Sequence, residues 1–424
     1  MRIGIVGAGG AGLAAAWLLS DEHDVTLFER QDRLGGHAHT LEVEQGGEQV
    51  GIDAGFEFFS GAMFPTFARL LELLGVPQHR FLLTATLYTV DRRHLWLLPP
   101  VRNGRVIWPA VKPRQIADLL RFGYVLHRAR GLMQAHDTSR TLEQFLDELP
   151  LTRSFKQDFM YPFLLAGWCV EPDDYRHFIA YDVLRYSFMH RPAGLSPRFW
   201  TEIVGGSQTY IQALAHAVPR AAVKTSSPID LIRRHGSTLV LQTESGGTSE
   251  FDQVVLATNA HEAGRLLTGL EGLETVRQAL GLVEYFKTTI AVHGDLRLMP
   301  AQRRHWSVAN LRHDGRYCAT TIWKGWKSRA PIFKSWVTYE ARLPEPLYGV
   351  ATFDHPKVNA SYFQAQKRLA PCQGQQQVWL AGMHTTDVDC HESAIMSAVN
   401  VARRLAPRSA RLRQLLDTHP SETT

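Results

Sequence analysis

Apolar and polar positions fall into blocks that change period along the chain. Residues 2–6, Arg-Ile-Gly-Ile-Val, form a short apolar run of the length of a buried parallel strand. A glycine-rich turn over 7–12 follows, and the Ala- and Leu-rich stretch 13–19 reads as a helix. Val25-Thr26-Leu27-Phe28 reads as a second strand, ended by Glu29, and another strand is expected near 41–50. Phe67, Leu70, Leu71 and Leu74 recur at helical spacing over 65–74, and Gly75-Val76-Pro77 stops that helix. From Phe81 to about Trp200 the pattern changes, with strands expected over 82–90 and 95–98 and helices over 114–133, 142–149 and 155–169. Strands over 223–232, 239–243 and 251–257 follow, the first two joined by a hairpin turn at Arg233-Arg234-His235-Gly236. Tyr285 to His293 alternates like a strand, and Val378-Trp379-Leu380 leads through a glycine turn into a helix that starts near His391.

At 424 residues, with 45% hydrophobic and 21% charged positions, the composition suits two intertwined globular domains. No run of 18 apolar residues occurs, so no membrane-spanning helix is expected, and no charged-then-apolar leader precedes the first strand. Cys169, Cys318, Cys372 and Cys390 are scattered, which argues against a zinc knuckle or disulfide framework and fits a reducing cytoplasm. No metal site is expected. The net charge of +5 is spread along the chain without a nucleic-acid motif, so nucleic acid is set aside. One stretch, 91–130, is markedly basic: Arg92, Arg93, Arg102, Arg105, Lys112, Arg114, Arg121, Arg128 and Arg130 stand against Asp91 and Asp118, with Trp96, Trp108, Phe122 and Tyr124 between them. Such a face could dock on an anionic membrane or a lipid-carrying partner; a solvated basic face over an ordinary core is the plainer reading. The expected location is cytoplasmic, with membrane association as the alternative this stretch raises.

The first forty residues carry the most specific chemistry. Gly7, Gly9 and Gly12 form G-x-G-x-x-G between an expected strand and helix, and Glu29 ends the next strand. That order is the dinucleotide fingerprint. Gly7 permits the tight turn, Gly9 lets backbone approach a pyrophosphate, Gly12 lets helix and strand pack, and Glu29 can accept from a ribose hydroxyl. The helix N-terminus offers N–H groups and partial positive charge to the phosphates. The fingerprint alone leaves NAD and FAD open.

Arg33-Leu34-Gly35-Gly36-His37-Ala38-His39-Thr40 follows at once and resembles the R-x-G-G-R-x-x-T stretch of the flavin amine oxidase and phytoene desaturase superfamily. The resemblance implies FAD, with the amides of Gly35 and Gly36 against its diphosphate beside Arg33, and with His37 where amine oxidases usually carry Arg. Asp53-Ala54-Gly55 resembles the D-x-G segment that returns to the flavin ring. Gly205-Gly206 resembles the turn that re-enters the FAD domain, and Val223 beyond it is expected at the cofactor. Lys287 is the candidate for the lysine that holds a water at flavin N5; a lysine on an exposed strand face is the alternative. Gly382-Met383-His384 and His391-Glu392-Ser393-Ala394 resemble A-G-D … E-G-A-x-x-S-G-x-x-A. Gly382, Met383, Glu392, Ser393 and Ala394 are carried over as cofactor residues, with Met383 in place of Asp and Ser393 in place of Gly. His384 and His391 join Lys287 as catalytic candidates, because histidine can act as acid or base at neutral pH. His39 is also expected near the flavin. The segment His293 to Pro300, with Arg303, Trp306 and Asn310, resembles a bacterial subgroup described as predicted NAD/FAD-binding amine oxidase-like proteins.

The resemblance implies an α/β fold: a discontinuous, glutathione reductase-like Rossmann FAD-binding domain with an α+β substrate domain. The expected FAD-binding segments are 1–80, 201–265 and 371–408, the substrate segments 81–200 and 266–370, and 409–424 a tail. The implied activity is that of an FAD-dependent oxidoreductase, an oxidase or desaturase acting on a small hydrophobic substrate. That substrate would be an amine or a long acyl or polyene chain, and oxygen or a quinone-type acceptor would take the electrons. Two alternatives stay open: a redox-neutral double-bond isomerase, and a non-catalytic flavoprotein that lends a partner a lipid-binding surface.

Overall fold

The computed structural model describes residues 1–417 except 46, 92, 103–104, 109–110, 190–198 and 219–222; Arg92 and the tail beyond 417 lie outside the described residues. A five-stranded parallel sheet forms the first half, in the order Val223–Lys224, Asp24–Phe28, Arg2–Val6, Gln253–Leu256, Val378–Leu380. Spatial neighbours come from distant parts of the sequence, so this half is assembled from separated stretches. The opening helix Gly10–Leu19 is buried along its whole length. That is why it is apolar on every face rather than striped. It lies against the closing helix His391–Leu405.

The second half is built on a seven-stranded sheet. Its order is Leu347–Pro356, Tyr285–His293, Phe333–Trp336, Cys318–Trp323, Ala309–His313, Ala85–Thr89, Leu95–Leu98. The long helix Pro113–Ala135 packs on the helix Ala180–Met189 beside it. Among the described residues no helix is long and apolar enough to cross a membrane.

Several expected strands divide. The strand near 41–50 is a hairpin, Thr40–Gln45 against Glu48–Asp53, because Gly47 at φ +81° reverses the chain. The run 82–90 splits into Gln78–Leu82 and Ala85–Thr89, which join different sheets. The run 223–232 splits likewise: Ser226 at φ +48° turns Val223–Lys224 away from Ile229–His235. At 251–257 the chain changes sheet at Asp252, whose carboxylate accepts from the Arg2 amide at 2.7 Å. The expected helix 155–169 begins as a π-helical turn, Phe155–Met160, and its last α-helical segment is Tyr161–Leu165.

Buried charges tie the two halves together. Lys324 Nζ lies 2.8 Å from Glu57 Oε1 and 2.6 Å from Glu202 Oε2, and Lys334 Nζ lies 3.0 Å from Glu57 Oε2. Burial pushes the Glu57 carboxyl up, but Lys324 and Lys334 outweigh it and hold it at about 2. Lys334 Nζ also donates to the Gly55 carbonyl at 2.8 Å, which fixes the loop that leads into the site.

His293 ends the strand Tyr285–His293 fully buried. Its Nδ1 accepts from the Asp295 amide at 3.0 Å, so Nε2 carries the proton and donates to Ser335 Oγ at 2.8 Å. Burial pushes its pKa from 6.5 down to about 4. The unfolded chain therefore binds a proton in this window that the folded chain refuses. The stabilisation is complete above pH 6.5 and is lost as pH falls towards 4, by about 1.4 kcal/mol per pH unit. Urea unfolding at stepped pH is expected to show His293's share as a difference: His293→Gln, which keeps one donor and one acceptor, is expected to make the slope shallower by that amount, the buried His355, His384 and His391 supplying slope of the same sign in both proteins.

Candidate active site

A cleft of ≈ 430 Å³ runs along the C-terminal edge of the parallel sheet, over the start of the opening helix. This is where ligands enter open α/β sheets. Gly7, at φ +99°, turns the chain out of the first strand, its amide donating to the Phe28 carbonyl at 2.8 Å. A Cβ on Gly12 would stand 1.8 Å from the Gly7 carbonyl oxygen, so helix and turn meet only because position 12 is glycine. Gly9 differs. A Cβ there would find nothing nearer than the Gly35 carbonyl oxygen at 4.0 Å, so its bareness keeps room on the cleft side. Gly9 also caps the opening helix without a side-chain bond, leaving first-turn N–H groups for a ligand.

A second glycine loop lies alongside. The Gly35 amide donates to the Ala8 carbonyl at 2.8 Å, and Gly35 and Gly36 hold φ of +113° and +57°. Arg33 Nη1 donates to the Gly36 carbonyl at 3.2 Å and brings a cation to this wall. Glu29 is fixed at the cleft by the Ala8 and Gln31 amides, which donate to its two oxygens at 2.8 and 2.9 Å.

The other end of the cleft carries histidines. His37 Nε2 and His384 Nε2 are buried without a hydrogen-bond partner, and both residues line the wall. Burial pushes His384 down to about 4; it also lowers His37, against the backbone hydrogen bond and carboxylate of Asp354. His391 opens the closing helix. Its ring stacks on Phe56 at 4.1 Å, and its Nε2 lies 2.7 Å from Tyr210 Oη. Burial, then His37, pushes His391 down to about 3. Behind the wall His355, 5.4 Å from His37 ring to ring, is pushed to about 3 by burial and by His37 and Lys334. These imidazoles are neutral at physiological pH. Cys390 caps the closing helix without a side-chain bond, so that helix presents its positive end beside His391 and Ala394.

Gly382 and Met383 complete this wall, Gly382 at φ +127° with its amide donating to Ser397 Oγ at 2.7 Å. The Met383 carbonyl accepts from Tyr362 Oη at 2.9 Å. Seven expected site residues stand elsewhere. Lys287 is exposed and outside the wall, because strand alternation turns Thr288 and Ile290 inward. Glu392 points away: its oxygens accept from the Thr66 and Phe67 amides at 2.9 Å each and cap the helix Pro65–Leu73. Ser393 is buried with its Oγ 3.4 Å from Cys390 Sγ. Val223 pairs with Leu27 in the parallel sheet, and Ser227, Pro228 and Ile229 take the place on the wall expected of it. Gly12 serves the turn from behind. Asp53 accepts from Thr40 Oγ1 and from the Ser207 amide and hydroxyl rather than lining the cleft. His39 also falls outside the wall, set edge-on to Phe353 at 6.5 Å. Tyr285, Phe353 and Asp354 line the cleft and escaped the sequence reading; their strands alternate, but alternation does not say which face is covered.

The wall fits FAD. Bare glycine amides, Arg33 and an uncapped helix suit a diphosphate, Glu29 suits a ribose, and the unpartnered His37 and His384 nitrogens call for a polar ligand at the far end. Among the described residues no cluster of three metal-ligating side chains occurs.

Comparison with known proteins agrees. The family described as flavin containing amine oxidoreductase matches residues 11–293. AofH of Mycobacterium tuberculosis, provisionally named a flavin-containing monoamine oxidase, is 27% identical over 275 residues, 61% of this chain and 57% of that protein. The chain thus spans little more than half of that relative's length. A CLA-producing fatty acid isomerase from P. acnes shares the fold at TM-score 0.68 and 15% identity, covering 96% of this chain and 98% of the other. Cyclohexylamine oxidase from Brevibacterium oxydans does so at TM-score 0.67 and 16% identity, covering 95% and 99%. With more than half of the sequence inside the family match, the chain belongs to the flavin containing amine oxidoreductase family.

Proposed function

We propose that the chain is an FAD-dependent oxidoreductase, an oxidase or desaturase, that removes hydride from a hydrophobic substrate, an amine or a long acyl or polyene chain. The observation that carries this reading is one cleft that joins bare glycine amides at one end to unpartnered, neutral histidine nitrogens at the other. FAD bound there supplies the two-electron acceptor. Glu29 would hold a ribose hydroxyl, and Arg33 with the Gly9–Ala11 backbone would hold the diphosphate. His37, His384 and His391 stay uncharged at neutral pH, so each offers a single hydrogen bond rather than a cation. His391 is held for that task by Tyr210 and Phe56. Phe353 and Tyr285 give the cleft an apolar wall that excludes water. Oxygen or a quinone-type acceptor would complete the cycle. Support for the substrate class comes from two proteins that share the fold, an amine oxidase and a fatty acid isomerase.

The purified protein is expected to show flavin bands, and anaerobic bleaching by candidate amines and acyl lipids identifies the substrate. A product lighter by two hydrogens supports oxidation; an unchanged mass with a moved double bond makes the chain an isomerase instead. A colourless protein that FAD does not reconstitute overturns the reading. His391→Ala is expected to keep FAD and slow bleaching at least about tenfold, the loss of one hydrogen bond in the reacting site. Gly9→Val and Gly12→Val separate ligand room from packing. Gly9→Val is expected to fold with unchanged circular dichroism and lose at least about tenfold in FAD affinity. Gly12→Val is expected to cost about 3 kcal/mol of stability or abolish folding, because its Cβ meets backbone.

A further inference from the structure

The basic stretch noted in the sequence sorts into two sets. Arg114 and Arg121 turn inward to Asp118, at 3.8 and 2.9 Å, and Arg93 pairs with Asp91 at 3.0 Å. Arg105, Lys112, Arg128 and Arg130 remain exposed, and among the described residues none has a carboxylate partner. Between these cations stand apolar side chains that folding leaves in water. Trp108 and Leu120 are 72% and 71% exposed, the highest values among the large apolar residues, with Ile116 at 47% and Val106 at 42%. Lys112, Ile116 and Leu120 follow at intervals of four, so they lie along one face of the long helix, with Arg130 further along the same exposed side. The opposite face buries Val125, Leu126, Ala129 and Leu132 in the core.

We infer that this face, from Arg105 and Trp108 to the exposed side of the helix Pro113–Ala135, docks on an anionic lipid surface. The chemistry selects that partner. Exposed cations attract anionic headgroups, while Trp108, Ile116 and Leu120 gain only where apolar matter is available a few ångströms deeper. Nucleic acid satisfies the cations and leaves the apolar residues wet. Lys112 and the arginines can lay their stems on the apolar zone with their charges in the headgroups. The patch follows the edge strand Leu95–Leu98 of the seven-stranded sheet, whereas the cleft is lined from the opposite edge strand, Leu347–Pro356. Docking here leaves the cleft uncovered. The inference goes beyond the proposed activity and does not depend on it.

Flotation of the full chain with phosphatidylcholine vesicles, with and without phosphatidylglycerol, tests it. The protein is expected to float with the anionic vesicles at low salt, to stay behind with the neutral ones, and to be released by high salt. Each of Arg105→Gln, Lys112→Gln and Arg130→Gln is expected to lower partitioning about fivefold, and Trp108→Ala or Leu120→Glu roughly tenfold. Val350→Glu, at an apolar site 41% exposed on the opposite edge strand, is expected to leave it unchanged. No flotation with anionic vesicles at low salt overturns the inference, as does flotation indifferent to Leu120→Glu. Patch variants that alter the sedimentation coefficient of the free protein, and not its flotation, assign the face to a second copy of the chain and overturn the lipid assignment.

Discussion

A carboxylate shared by two buried ammonium groups sets the geometry on which the site depends. Glu57 lies between Lys324 and Lys334, and Lys324 reaches on to Glu202. Removing one member of such a cluster strands a charge in the interior, at a typical cost of ~3–5 kcal/mol, so the arrangement is an all-or-none contact. Its effect on the cleft is direct. Lys334 also holds the Gly55 carbonyl, and a Cβ on Gly55 would stand 1.8 Å from the His37 carbonyl oxygen. The next residue, Phe56, stacks on His391, and His391 reaches Tyr210. One ion cluster between the sheets thus fixes a run of contacts that ends at the cleft wall.

The parts legible in the sequence are those whose cause is local. The opening strand, turn and helix could be read because a Cβ on Gly12 would meet the Gly7 carbonyl, because Gly7 takes a positive φ, and because a helix buried on all sides must be apolar on all sides. The hairpin of Ile229–His235 with Thr238–Thr243 was equally local, though Arg233 to His235 belong to its strand and the chain turns at Gly236-Ser237. What escaped depends on partners far away in the chain. Apolar alternation located the strand Tyr285–His293 but could not say which face the rest of the protein covers, so it left Lys287 open between the flavin and an exposed strand face, and the exposed face is where it lies. The buried lysines of that sheet, Lys324 and Lys334, are recognisable only once Glu57 and Glu202 are beside them. Glu392 shows the same limit. Its motif points to the cofactor, yet two backbone amides at Thr66 and Phe67, more than 320 residues away in sequence, claim its carboxylate.

The split strands have a related cause. At 82–90 and 251–257 the apolar pattern continues through a point where the chain leaves one sheet for another. Periodicity registers burial, and both sheets bury; only the hydrogen-bond ladder records the change of partner. Asp252 marks one such point because its side chain answers the Arg2 amide at the start of the parallel sheet.

Two departures from the family pattern act together on the electrostatics of the cleft. His37 stands where a cation is usual and Met383 where an anion is usual. Losing one of each leaves the net charge almost unchanged and removes a cation and an anion that the resemblance implies at the cofactor. Burial keeps His37, His384 and His391 neutral, and Lys334 behind them is answered by Glu57. The wall also carries Glu29, Arg30 and Arg33 near the fingerprint, Glu244, Glu262 and Arg265 beside Ser227–Ile229 and Asn259, and Asp354 beside His37. Charge that develops at the histidine end then meets the dipole of the closing helix, single hydrogen bonds from neutral rings and the Asp354 carboxylate. The same burial that makes the histidines neutral leaves them as hydrogen-bonding groups rather than cations, so the fixed charge beside His37 is the Asp354 carboxylate.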